Sequence, residues 1–172
     1  MKIDDYIQYW AHMLDEAMDD KTGFIHGNFM FFWGCGPKTR IQKGCLSQWW
    51  PCSFEIDGIR YNCAEQYMMA EKARVFGDRE MLDAILKTSN PKDIKAYGRA
   101  VRGFDPLKWN GVKYDAVVRG NLAKFSQNQE LKKFLLSTGD AELVEASPKD
   151  RIWGIGLAED DPRALDKSKW CG

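Results

Sequence analysis

Residues 54–73 form a stretch with a clear pattern of secondary structure, FEIDGIRYNCAEQYMMAEKA. Its first half places apolar residues at alternating positions on both sides of Asp57-Gly58, a dipeptide that favours the two-residue turn of a β-hairpin. Asn62 follows the hairpin and can cap a helix whose N3 position would be Glu65. The stretch therefore predicts a β-hairpin that leads directly into a helix.

Outward from this stretch, the sequence predicts mainly helices and one more region of strands. The predicted elements are an amphipathic helix at residues 4–18, a strand at Phe29–Trp33, the helix from Asn62 to Gly77, a helix from Asp78, a helix capped by Asn90 before Pro91, a helix at about Val112–Ser126, a helix after Asn128 and a strand at Leu143–Ala146. Loops are expected at residues 34–44 and 147–156. The fold class is therefore α+β and mainly helical, with a small sheet or hairpin and about five to six helices.

The longest predicted helix carries a polar residue on its apolar stripe. Apolar residues at helical spacing are expected to face the core, and they are Tyr114, Val117, Val118, Leu122 and Phe125. Asn121 falls on the same stripe, and buried polar groups need partners. Asn121 is therefore either paired within the fold or exposed to a pocket.

Composition favours one domain without a strongly charged surface. The chain has 172 residues, of which 44% are hydrophobic, and it carries 25 basic and 25 acidic residues. This balance gives no sign of an extended nucleic-acid or membrane surface, although a local basic pocket remains possible. The acidic first 20 residues do not resemble a secretory signal, and no apolar run is long enough to span a membrane. We expect a cytoplasmic protein that does not bind membranes.

The five cysteines are odd in number and form no Cys-x-x-Cys pair, so we expect free thiols. A metal site would need His26, Cys35, Cys45 and Cys52 together, and their spacing matches no known ligand motif. A nucleophilic cysteine would need a histidine to activate it, and the chain has only two. The sequence therefore predicts neither a metal site nor thiol catalysis.

Glu65 has two possible roles at the start of its predicted helix. It can bond back to the Asn62 amide as the glutamate of a capping box, or it can act as a catalytic carboxylate held on rigid elements. Lys72 lies seven residues further on, hence on the same helix face and about 10 Å away. The two charges could hold opposite ends of a ribose phosphate, while a solvated lysine is the alternative.

Trp153 lies in a loop beside Gly154 and Gly156, which allow a ligand to approach the backbone closely. Its indole could stack on a flat base, although a core tryptophan is the alternative. The neighbouring Lys149, Asp150 and Arg151 could contact a phosphate or simply form a charged surface loop. The loop lacks both the lysine of a P-loop and the full glycine pattern of a dinucleotide fold.

Four segments together resemble the NADAR family, which includes the YbiA-like proteins. They are LSQWW at residues 46–50, NCAEQY at 62–67 running on to Lys72, GNLAKF at 120–125 and ASPKDRIWGIGL at 146–157. The resemblance runs in the family's order over about residues 29–171. It implies a YbiA-like domain at residues 29–172 and an N-terminal helical extension at residues 1–28.

The resemblance also implies an activity. Known members are N-glycosidases: the YbiA-like branch hydrolyses ribosylamino-pyrimidine phosphates of riboflavin synthesis, and others remove ADP-ribose from guanine in nucleic acid. By resemblance, Glu65 is the essential glutamate and Trp153 the active-site tryptophan. The residues implied to bind substrate are Ser47, Tyr67, Lys72, Asn121 and Lys124, and Arg151 would help them to hold phosphate. No cofactor is expected.

Two departures from the family pattern concern substrate and length. Riboflavin-type members have an acidic residue after the Trp-Gly pair, where this chain has Ile155. The acid that protonates the leaving base is then open among Asp150, Asp160 and Asp161. The family also continues past Trp170 into an apolar helix, which we expect to be lacking here.

A non-catalytic module that binds ADP-ribose or NAD is the alternative function, and an interaction protein is a third possibility. The sequence leaves the oligomeric state open.

Overall fold

A computed structural model describes residues 25–36 and 40–172. The amphipathic helix predicted at residues 4–18 lies outside these ranges. The strands are β1 (Ile25–His26), β2 (Phe29–Phe32), β3 (Phe54–Ile56), β4 (Ile59–Tyr61) and β5 (Glu142–Glu145). The helices are α1 (Ala64–Val75), α2 (Arg79–Lys87), α3 (Pro91–Ala100), α4 (Pro106–Asn110), α5 (Lys113–Gln127) and α6 (Gln129–Leu136), with 3₁₀ turns at Lys43–Leu46, Pro162–Leu165 and Lys167–Lys169. The α+β class is confirmed.

The chain divides into two compact units. The helical unit is continuous and comprises Gln48–Lys132. The sheet unit combines the described residues of Met1–Ser47 with Lys133–Gly172. Each unit has its own buried cluster of apolar side chains.

The hairpin of the helical unit forms as the sequence predicts. Strands β3 and β4 pair in antiparallel register, with Phe54 opposite Tyr61. Asp57 and Gly58 in the turn both have positive φ, at 54° and 74°, as this type of turn requires. Phe54 and Tyr61 are buried, and they anchor the hairpin to the core of the helical unit.

Helices α2 and α3 begin where the sequence predicts, at Asp78 and at the Asn90 cap. The Asp78 carboxylate accepts a hydrogen bond from the Met81 amide, and the Asn90 side chain accepts one from the Lys92 amide ahead of Pro91. Asp78 also accepts three bonds from Arg102, through its amide, Nε and Nη2. These bonds hold the pKa of the Asp78 carboxyl well below its ordinary value. The start of α2 is thereby tied to the segment that follows α3.

The buried face of α5 differs from the prediction. Tyr114, Val118 and Leu122 are 68%, 48% and 69% exposed, so their expected place in the core is wrong. The buried residues of the helix are Gly120, Ala123, Lys124 and Phe125. The positions of the apolar residues indicated the wrong buried face, because the face that packs contains a glycine, an alanine and a lysine, whose hydrophobicity is low. Helix α4, which precedes α5, was not predicted.

The sheet unit is built on strands that are distant in sequence. Strand β2 lies between β1, to which it is antiparallel, and β5, to which it is parallel. Phe29 is opposite Glu142 and Phe32 is opposite Glu145. Phe31 and Val144 lie in the buried cluster of this unit, which confirms the two predicted strands. Among the described helices, none has the length and apolar character needed to cross a membrane.

Candidate active site

The first turn of α1 is capped differently from the prediction. The N-cap is Cys63, whose sulfur accepts a hydrogen bond from the Gln66 amide. The Asn62 amide donates to Oε1 of Gln66 at 2.8 Å, while Nε2 of Gln66 donates to the carbonyls of Ile85 and Thr88. Asn62 is therefore not the cap, and Gln66 performs the reciprocal bonding that the capping box assigned to Glu65.

Glu65 occupies the second position of α1 and is half-buried. Its amide donates to the Gln48 carbonyl at 3.0 Å, which ties the helix start to the segment before the hairpin. The positive end of the helix dipole favours a negative charge at this position. Because Gln66 completes the cap, the helix does not require the Glu65 carboxylate for that purpose.

Gln48 also positions Asn121. The side-chain amides of these residues exchange two hydrogen bonds, of 3.1 and 3.3 Å, and Nδ2 of Asn121 donates to the Val117 carbonyl. Of the two alternatives for Asn121, the structure shows the paired one. Gln48 thus connects Glu65 through its backbone and Asn121 through its side chain. Gln48 was not among the predicted site residues, although it lies within the segment LSQWW.

Lys124 is fully buried, and its ammonium lies 4.8 Å from the centre of the Phe125 ring. Its charge acts on Cys52, whose pKa is nevertheless raised because burial outweighs the attraction. Burial, with a smaller contribution from the negative charge of Glu65, raises the pKa of Cys63 to about 11. Both thiols are therefore held in the protonated form at neutral pH, in which cysteine is a poor nucleophile.

Lys72 is held by the neighbouring helix. Its ammonium donates to the Gly98 carbonyl at 2.8 Å and lies 4.1 Å from the centre of the Phe104 ring. Burial, and to a lesser extent the nearby charge of Arg99, lowers the pKa of Lys72. The ammonium is thus engaged at the end of α3, and a bound phosphate would have to share it or displace this contact.

Tyr67 lies in the core of the helical unit. Its ring is 5.0 Å from that of Tyr61 in an edge-on arrangement and 6.4 Å from that of Phe54. Gly120 lies so close that a Cβ atom there would be 2.7 Å from Cδ1 of Tyr67. The Tyr67 hydroxyl is buried, and the charged group that faces it is the guanidinium of Arg119.

In the sheet unit, the loop that carries Trp153 is held by a series of local hydrogen bonds. The Ser147 hydroxyl accepts from the amides of Lys149 and Asp150, and Oδ1 of Asp150 accepts from those of Ile152 and Trp153. Trp153 is half-buried, so it is not an ordinary core tryptophan. The loop therefore presents a partly exposed indole on an ordered backbone.

Ser47 and Arg151 belong to the sheet unit as well. Ser47 is buried, and its hydroxyl lies 3.9 Å from the thiol of Cys35, which donates to it. Arg151 is exposed. The predicted site residues are thus divided: Glu65, Tyr67, Lys72, Asn121 and Lys124 lie in the helical unit, and Ser47, Arg151 and Trp153 lie in the sheet unit.

The acidic side chains proposed to protonate the leaving base differ in their surroundings. Asp150 accepts two amides of its own loop. Asp161 caps a 3₁₀ turn and pairs with Arg163, which lowers the pKa of its carboxyl to about 2. Asp160 is exposed. Glu145, which was not among the predicted acids, is half-buried at the end of β5.

The cysteines, histidines and acids in the described part of the chain form no group of three or more that could hold a metal ion. The side chain of His26, one of the four residues weighed as ligands, lies outside that part. Cys35, Cys45 and Cys52 have free thiols, as do Cys63 and Cys171. The free thiols agree with the prediction from the odd number of cysteines.

Comparison with known proteins identifies the family. The model of the NADAR domain matches residues 31–172. N-glycosidase R617 of Acanthamoeba polyphaga mimivirus is 44% identical over 149 residues, covering 84% of this chain and 87% of that protein. Protein irg-1 of Caenorhabditis elegans is 41% identical over 116 residues, covering 66% of this chain and 55% of that protein.

A solved structure supports the same assignment. The NMR structure of Escherichia coli YbiA matches with a TM-score of 0.63 and 26% identity, over 78% of this chain and 76% of that one. YbiA is itself named an N-glycosidase, and its sequence is 34% identical over 109 residues, covering 62% of this chain and 64% of that protein. The chain therefore belongs to the NADAR domain family and is a hydrolase of the N-glycosidase class.

Proposed function

We propose that this protein hydrolyses the bond between C1′ of ribose and a nitrogen of a base, in a ribosylated nucleotide. The substrates to be compared are ADP-ribosylated guanine in nucleic acid and the ribosylamino-pyrimidine phosphates of riboflavin synthesis. The observation that carries the proposal is the arrangement of Gln66 and Glu65 in the first turn of α1. Gln66 caps the helix, and Glu65 lies half-buried beside it in the first turn of α1.

Glu65 is proposed to act on the attacking water. As the base departs, C1′ gains positive charge, and a nearby carboxylate stabilises this charge electrostatically. The same carboxylate accepts a proton from the water that attacks C1′. Support comes from its position in the first turn of α1, where the helix dipole favours the ionised form.

The remaining residues are proposed to bind the substrate. Trp153 offers a partly exposed indole face on which a base can stack. The Oδ1 atom of Asn121, held in place by Gln48, can accept a second hydrogen bond from a ribose hydroxyl, and Arg151 can contact a phosphate. Lys124 is proposed to contribute positive charge near Glu65, since it is fully buried and acts on the nearby Cys52.

The test compares the wild-type chain with Glu65→Gln, each incubated with an ADP-ribosylated guanine oligonucleotide and with ribosylamino-pyrimidine phosphate. Released base is measured by mass spectrometry. We expect release from one substrate by the wild type and a loss of at least about 100-fold in the variant. Glu80→Gln is the matched control, because Glu80 is also an acid in the first turn of a helix but is exposed.

Three outcomes contradict the proposal in different ways. Near-normal release by Glu65→Gln removes the role of Glu65. A stable complex of the wild type with ADP-ribose, without release of base from either substrate, favours the binding module instead. No binding and no release by a folded wild-type chain favours an interaction protein.

A further inference from the structure

Glu145 is the last residue of β5, at the edge of the three-stranded sheet. Its carbonyl accepts a hydrogen bond from the Ile155 amide at 3.0 Å, which fixes the end of the strand against the loop that carries Trp153. Gly154 packs at the same place, because a Cβ atom there would be 3.0 Å from the Glu145 carbonyl. Glu145 therefore lies directly beside the segment Trp153-Gly154-Ile155.

The side chain of Glu145 differs from that of the other glutamate on its strand. Glu142 is exposed and forms an ion pair with Lys167. Glu145 is half-buried, and within the described ranges its carboxyl forms neither a hydrogen bond nor an ion pair. Burial, and next the negative charge of Asp150, raises the pKa of the Glu145 carboxyl.

The neighbouring acid is held in different surroundings. Asp150 accepts hydrogen bonds from the amides of Ile152 and Trp153. Two carboxyl groups in different surroundings thus lie close together at one loop. Pairs of acids in different surroundings are common where an enzyme needs a proton donor.

We propose that Glu145 is the acid that protonates the departing nitrogen of the base. This role rests on the proposed N-glycosidase function and adds to it the group that the leaving base requires. The assignment follows from the position of Glu145 beside the Trp153 loop, where the base is proposed to stack, and from its half-buried, unpaired carboxyl. Asp160 and Asp161 then have no role in proton donation.

Protons and electrons balance in the proposed step. The bond between C1′ and nitrogen breaks with its electron pair on nitrogen, and the protonated Glu145 carboxyl gives its proton to that nitrogen. Water forms the new bond to C1′ and releases one proton, which reaches solvent. Glu145 takes one proton up from solvent, which restores the starting state.

The test uses the full chain and the substrate from which the wild type releases base. Glu145→Gln keeps the shape of the side chain but cannot donate a proton. We expect its kcat to fall at least about 100-fold, with KM within about threefold of wild type, as for the loss of general-acid catalysis. Glu145→Asp should recover part of kcat, and Glu142→Gln on the same strand should leave it unchanged.

The dependence on pH distinguishes proton donation from a structural role. The donor must be protonated, so the wild-type rate should fall as pH rises through the pKa of Glu145, and this fall should be absent in Glu145→Gln. Asp150 is the charged group that the described residues bring close to Glu145. A Glu145→Gln variant with near-normal kcat, or with the same alkaline fall as wild type, overturns the inference alone. No release of base by the wild type overturns the proposed function and this inference together.

Discussion

Replacement of Gly120 by alanine should destabilise the helical unit through a single contact. A Cβ atom at this position would lie 2.7 Å from Cδ1 of Tyr67, whereas carbon atoms in contact are normally about 3.5–4.0 Å apart. The Tyr67 ring has little room to withdraw, because Tyr61 and Phe54 pack against it. Either the ring or helix α5 must therefore move by several tenths of an ångström.

The size of the effect follows from two opposing contributions. Overpacking a core costs about 1–3 kcal/mol, and the exchange of glycine for alanine within a helix returns about 1 kcal/mol. We expect Gly120→Ala to lower the free energy of unfolding by up to about 2 kcal/mol, and Tm by up to about 8 °C. Urea and thermal unfolding followed by circular dichroism provide the measurement.

Two further variants make this prediction refutable. Gly111 has a helical backbone with φ of −71°, and a Cβ atom added there would meet only ordinary van der Waals contacts, so Gly111→Ala should be neutral or stabilising. In a Tyr67→Leu background the clash disappears, and Gly120→Ala should then stabilise by about 1 kcal/mol. If Gly120→Ala costs the same in both backgrounds, the contact with Tyr67 is not the cause.

Three other predictions concern the caps and the site. Gln66→Ala removes three hydrogen bonds and should lower the free energy of unfolding by about 2–3 kcal/mol in urea, while an effect below about 0.5 kcal/mol would contradict its role as the cap. Arg102 lowers the pKa of Asp78 from 3.8, so stability from this pair should be complete above that value and decline at lower pH. Asp78→Asn should lack this decline when urea midpoints are measured against pH, and an unchanged decline would assign it to other groups. Gln48→Ala frees the Asn121 amide, and the factor by which KM rises should be about ten times larger than the factor by which kcat falls. An unchanged KM would show that Asn121 does not need this support.

Local patterns in the sequence predicted the local structure well. The Asp57-Gly58 turn, the helix start at Asp78 and the Asn90-Pro91 cap each depend on a few adjacent residues, and all three are confirmed. The cap of α1 was wrong by one residue, because Asn62 is a preferred cap and a cysteine such as Cys63 is not. The distinction depends on Gln66, whose amide reaches the distant carbonyls of Ile85 and Thr88.

The site was predicted less completely than the fold. Glu65 and Trp153 were singled out by resemblance, and their roles stay predictions. Gln48 was missed although it lies in a recognised segment, because its contacts with Glu65 and Asn121 join positions that are distant in sequence. Glu145 was missed because an acid at the end of a short strand usually faces solvent.

The order of the two units along the chain has a consequence for synthesis on the ribosome. Strand β2 cannot pair with β5 until β5 has been synthesised, and β5 follows the whole of Gln48–Lys132 in the sequence. The helical unit, in contrast, is continuous and rich in contacts between neighbouring helices, which form quickly. It can therefore fold as soon as it emerges, whereas the parallel pairing of the sheet unit must await the last part of the chain.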